Sequence, residues 1–124
     1  MTRIICVAMQ KGGTGKTTTV HALGSAFAGW GKRVLMIDLD DEGSLGIGCG
    51  IDTDHLERDK TLYGVLFNQI SVPDVVIKLK DNLDLLPSNS DMSAANLLLV
   101  NMHRREDRLK KALATVQDRY DFVL

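Results

Sequence analysis

Apolar residues in this chain fall into short unbroken runs, separated by segments in which they recur every three or four positions. That alternation is the pattern of buried strands joined by amphipathic helices. Ile4 to Met9, "IICVAM", is a continuous run with β-branched members, as in a strand covered on both faces. From Thr17 to Trp30, Val20, Leu23, Ala26 and Phe27 take helical spacing, and Gly31 then Lys32 supply a stop. Arg33 to Asp40, "RVLMIDLD", is a second buried strand with two carboxylates, Asp38 and Asp40, at its end. Strand, helix and strand form a βαβ unit, whose crossover is right-handed in nearly all proteins.

Past this unit the signal weakens. Asp41 to Lys60 is polar, carries Gly43, Gly46, Gly48 and Gly50, and reads as a mobile loop. Open α/β sheets place ligands at loops on the carboxyl ends of their strands. "TLYGVLF" predicts a short helix, "VPDVVIKL" an irregular or short strand segment, and Leu83 to Leu86 a third strand ended by Pro87 and Ser88. Two helices are expected over Asp91 to Val100 and Glu106 to Arg119, the second with Leu109, Ala112, Leu113 and Val116 on one face. Asp121 to Leu124 begins another strand. A parallel α/β sheet in a single domain spanning residues 1–124 accounts for all of these elements.

Bulk composition changes this picture little. The 124 residues carry 15 basic and 16 acidic side chains, a net charge of −1, and a pI near 6.3. Any contact with a polyanion is therefore local rather than global. Cys6 and Cys49 lie far apart without metal-binding spacing, which points to a reducing, cytoplasmic setting. No stretch approaches the ~20 apolar residues of a membrane helix, and the N-terminal run lacks the features of a signal segment. His21, His55 and His103 show no ligand spacing and read as surface or helix residues. The charged run "HRREDRLKK" alternates in sign and reads as a solvated helix face.

The chemistry concentrates in "QKGGTGKTT", Gln10 to Thr18. A phosphate loop of the form G-x-x-x-x-G-K-[ST] wants glycine where Gln10 stands, but the rest fits. A strand-to-helix loop directs backbone N–H groups and the positive helix end at one point, which suits a phosphate chain. Gly12, Gly13 and Gly15, with Thr14 among them, let the backbone approach that ligand closely. Lys16 would reach the β- and γ-phosphates, the Thr17 hydroxyl would ligate Mg²⁺, and Thr18 would bond an α-phosphate. The plain alternative is a glycine turn with no ligand.

"KGGTGKTT" resembles the deviant Walker A motif of the ParA and MinD ATPases. The resemblance implies that Lys11 reaches across a nucleotide-sandwich homodimer to the partner's phosphates, as an arginine finger does. "RVLMIDLD" followed by "GSL" resembles the second ParA motif, in which the residues matching Asp38 and Asp40 serve magnesium and the attacking water. Asp41 and Glu42 replace the family's proline and glutamine and add two carboxylates. Later segments favour ParA over MinD, and the chain stops just before the aspartate of the family's Walker B segment. The resemblance implies a P-loop NTPase-like, three-layer parallel sheet with flanking helices, truncated to its N-terminal half with switch II beyond it. A sheet cut there is expected to leave an unpaired apolar strand edge. The function implied is an ATP- and Mg²⁺-dependent ATPase of plasmid or chromosome segregation. Its implied partners are a second copy, a ParB-like centromere-binding protein and non-specific DNA, with no membrane. The competing reading is a non-catalytic ParA-like module that pairs with itself. Electron transfer of the nitrogenase iron protein type is discounted, because Cys6 and Cys49 do not match cluster cysteines.

Overall fold

A computed structural model describes residues 2–7, 16–40, 42–93 and 104–124. Its elements in chain order are β1 (Arg3–Ile4), α1 (Lys16–Gly29), β2 (Val34–Ile37), α2 (Ser44–Gly48), α3 (Leu62–Phe67), α4 (Val72–Val75), β3 (Ile77–Lys80), β4 (Leu83–Leu86), α5 (Arg104–Ala114) and β5 (Phe122–Val123). Single 3₁₀ turns occupy Thr53–His55, Arg58–Lys60 and Gln117–Arg119.

The sheet order is β1-β5-β2-β4-β3. β1, β5, β2 and β4 run parallel, with Val34 opposite both Leu83 and Phe122. β3 is antiparallel to β4, so the expected parallel sheet carries one antiparallel edge strand. The cause is chain length: only Asp81 and Asn82 join the two strands, and a parallel pair needs a crossover of a dozen residues or more. Asn82 takes the left-handed conformation, φ 66°, that such a turn demands and that asparagine tolerates. Before β3, Val72–Val75 is helical, with Pro73 in the first turn where its missing N–H costs nothing.

Among the described residues the parallel margin of the sheet is β1. An unpaired apolar strand edge is expected where the sheet is cut, and β5 itself is inserted between β1 and β2. Ile4 on β1 is 57% exposed. β1 is also shorter than the predicted Ile4–Met9 run, although the Ile5 N–H still donates to the Val123 carbonyl at 2.8 Å. Positions 8 and 9 lie outside the described residues.

Alternation along the central strands builds two cores. Val34 and Met36 of β2, with Leu83 and Leu85 of β4, pack under Val20 and Ala28 of α1. Leu35 and Leu86 face the other way, onto Leu62, Val65 and Leu66 of α3 and Leu113 of α5. Val34, Leu35 and Met36 are all fully buried, as a strand covered on both faces requires. Helix α1 meets the sheet at Gly24, where an added Cβ would lie 2.7 Å from Met36 Sδ. Ala26, predicted on that inner face, is exposed, and Gly24 and Ala28 hold the place. The predicted stop is correct: Gly31 has φ 82°, its N–H donates to Ala28 and the Lys32 N–H to Phe27, which closes the helix end.

Asp41 to Lys60 is not one irregular loop. Among its described residues it holds α2 and two 3₁₀ turns. Of the two later predicted helices, residues 91–93 are helical, and 94–100 lie outside the described residues. The second runs Arg104–Ala114 and gives way to a turn before Arg119, with Leu113 and Val116 buried as expected. Among the described residues no helix is long and apolar enough to cross a membrane.

Candidate functional site

At the carboxyl end of the sheet β2 delivers Asp38 and β5 delivers Leu124, while α1 starts alongside at Lys16. The Ile37 N–H donates to Leu124 at 2.9 Å and the Asp38 N–H to Leu86 at 3.2 Å, so the end of β2 is tied on both sides. A cleft of about 220 Å³ opens there, lined among the described residues by Cys6, Val7, Thr17, Asp38, Asp40 and Leu45. Thr17 on α1 and the pair Asp38 and Asp40 after β2, distant in sequence, therefore line the same cleft. Thr18 is exposed on α1 and is not part of that lining. Lys11, Gly12, Gly13, Thr14 and Gly15 lie outside the described residues, as do Asp41 and the side chain of Lys16.

Asp38 is the most constrained polar side chain of the cleft, at 6% exposure. One carboxylate oxygen accepts the Asp40 N–H at 3.0 Å, and the other accepts the Leu45 N–H at 3.2 Å. Leu45 is the second residue of α2, whose N-cap, Gly43, has no side chain to offer. Asp38 thus satisfies an otherwise orphaned helix donor from seven residues upstream, and its charge sits at the positive end of that short helix. Burial pushes the Asp38 carboxyl above its ordinary value; the two N–H bonds work against that shift, and the Asp40 carboxylate adds to it. Asp40 itself is exposed and accepts the Glu42 N–H at 3.4 Å.

A carboxylate kept from water, with only N–H donors to balance it, favours an added cation. Thr17 and Asp38 are hard oxygen donors, the type magnesium selects, and magnesium keeps most of its water shell. Among the described residues no group of three or more His, Cys, Asp or Glu is placed to hold a metal. Thr17 and Asp38 fit a cation held by few protein atoms beside an anionic ligand. Helix α1 carries no acidic residue in its first turn, so its positive end is not cancelled. The Leu45 N–H and the role of Gly43 leave little trace in the sequence. Serine at position 44, ahead of Leu45 and Ile47, is the one local sign of a helix start.

Comparison with known proteins bears on the same region. A family model described as an AAA domain matches residues 2–124. The chain belongs to that family, and it is ParA-like. An uncharacterized protein of Mycobacterium tuberculosis is 47% identical over 98% of this chain and 38% of its own length. The chromosome partitioning protein ParA of Caulobacter vibrioides is 40% identical over 98% of this chain and 46% of its own. Among solved structures, cobyrinic acid a,c-diamide synthase from Mycobacterium smegmatis, with a bound ATP analogue and magnesium, superposes with a TM-score of 0.90 at 37% identity. That match covers 99% of this chain and 50% of the synthase. This chain thus spans half or less of the length of these family relatives. The solved neighbour has the P-loop NTPase fold expected from the sequence.

Proposed function

We propose that this chain carries the nucleotide half of a ParA-type ATPase acting in DNA segregation, with Mg²⁺-ATP bound at the cleft between α1 and β2. The observation that carries the proposal is Asp38: a buried carboxylate at the end of a central strand, fixed by two backbone N–H groups and facing the same cleft as Thr17. The partition role draws on the ParA relative, and the nucleotide on the neighbour with a bound ATP analogue and magnesium.

In this reading the loop Lys11 to Gly15 holds the phosphate chain through backbone N–H groups, and Lys16 and Thr18 bond its oxygens. Magnesium, when bound, would neutralise phosphate charge as it develops. The Thr17 hydroxyl would hold it directly and Asp38 through its waters. Asp40, exposed at the cleft mouth, would orient the attacking water, a matter of position and not of covalent chemistry. Lys11 would add positive charge to a second copy's site, so that two chains are needed for full activity.

Binding of a fluorescent ATP analogue with and without Mg²⁺ tests this. The wild-type chain is expected to bind only with magnesium, Lys16→Ala to lose binding, and Asp38→Asn to need about tenfold more magnesium or beyond. Magnesium-independent binding, or none by the wild type, would overturn the proposal.

A further inference from the structure

One residue outside the predicted machinery occupies a decisive place beneath it. Thr53 is fully buried, and both glycines on one side of α2 rest on its side chain. An added Cβ at Gly43 would lie 2.5 Å from Thr53 Oγ1 and 2.7 Å from the Ser88 carbonyl. At Gly46 it would lie 2.4 Å from Thr53 Cγ2, with its next neighbours at an ordinary 3.7 and 3.8 Å. No real Cβ tolerates 2.4 Å, so α2 sits where it does because two side chains are absent and one threonine fills the gap. Among the described residues Thr53 Oγ1 has no hydrogen-bond partner, and its contacts with the two glycines are contacts of shape. Thr53 is itself held: Asn89, 2% exposed, donates through Nδ2 to the Thr53 carbonyl at 3.0 Å and the Leu56 carbonyl at 3.1 Å, while its Oδ1 accepts the Asp91 N–H at 3.0 Å.

Between these two glycines lies Leu45, whose N–H meets Asp38. We propose that Thr53 is a positioning residue: by seating α2 at Gly43 and Gly46 it keeps the Leu45 N–H on the Asp38 carboxylate and so aims that carboxylate into the cleft. Its consequence for magnesium rests on the nucleotide reading above; its mechanical part does not. Partners one step removed from a metal ligand typically alter metal affinity ten- to a hundredfold.

The test uses the full chain with three changes. Gly46→Ala should clash with Thr53 Cγ2, although alanine is otherwise the better helix residue. Adding Thr53→Ser removes that methyl and leaves room for the new one. Thr53→Val keeps the shape and deletes the hydroxyl. The first readout is amide hydrogen exchange at Leu45 in metal-free, nucleotide-free protein. Exchange should quicken about tenfold or more in Gly46→Ala, return to wild-type in Gly46→Ala/Thr53→Ser, and stay unchanged in Thr53→Val. The second is the magnesium concentration that half-saturates ATP-analogue binding, expected to follow the same order. Unchanged Leu45 exchange in Gly46→Ala, no restoration by Thr53→Ser, or a Thr53→Val variant as fast as Gly46→Ala overturns the proposal. Should Gly46→Ala fail to fold, Thr53→Val alone decides: fast exchange there shows a role for the hydroxyl and overturns the seat. A wild type that shows Leu45 protected, yet binds ATP without magnesium, would overturn the proposed function and leave the seat standing.

Discussion

At the scale of single residues, Asp38 shows how one group can cost stability and still be kept. Its carboxyl is raised in the folded state mainly by burial, so the native protein takes up a proton before the unfolded chain does. Above the raised value both states are ionised there and the cost is complete. As pH falls through the raised value toward the ordinary 3.8, native protonation relieves it. Metal-free urea unfolding should therefore find Asp38→Asn most favourable relative to wild type near pH 7, the gap narrowing as pH falls toward 4. A gap that stays constant across that range would mean burial does not govern this carboxyl. Tyr120 carries the opposite end of the pH scale. Its hydroxyl donates to Asp84 Oδ2 at 2.7 Å, and burial first, then that bond, push its phenol up from 10.0. Above pH 10 the unfolded chain ionises while the native tyrosine resists, so stability falls with rising pH. Tyr120→Phe should remove that alkaline slope and cost about 1 to 2 kcal/mol at pH 7 through the hydrogen bond lost to Asp84. Chemical unfolding at pH 7 and pH 10.5 checks both.

At the scale of elements, what could be read in advance followed hydropathy. Strands β2 and β4 and helix α1 stood out because unbroken apolar runs and a glycine stop are strong one-dimensional signals. Asp38 and Asp40 stood out because carboxylates are rare at the end of a buried run. Helix α2 did not, because Gly43, Gly46 and Gly48 lower its hydropathy and helix propensity together, and what holds it is Thr53, a residue absent from any local pattern. The reversal of β3 was hidden in a two-residue turn. Glycine as a contact surface was the common omission. Gly64 in α3 is another instance: an added Cβ would lie 2.7 Å from Asp59 Cα and 3.0 Å from its carbonyl carbon, both backbone atoms that cannot swing aside. Gly64→Ala should therefore destabilise by about 1 to 3 kcal/mol, against the gain that helix propensity alone would give. Thermal unfolding that shows a stabilised variant would refute that account of α3 packing against the Arg58–Lys60 turn.

For the molecule as a whole, the sheet's two margins are treated differently. Outer strand β3 shows exposed Lys78 and Lys80, charges that discourage another strand from pairing with it. Replacing both with valine should leave the fold intact and raise self-association, measurable by sedimentation at increasing concentration. An unchanged monomer fraction would show that these lysines do not guard the edge. The opposite margin, β1, has the more unusual history. Its ladder partner is β5, and the Thr2 hydroxyl bonds the carbonyl of Tyr120, 118 positions away. A ribosome adding roughly 5 to 20 residues per second needs about 6 to 24 s to cover that distance. Throughout that interval the first strand emerges, apolar and without its neighbour, and the βαβ unit that follows cannot place it. Strand β1 is thus made well before the neighbour that places it, which makes it a natural early target for chaperones and proteases.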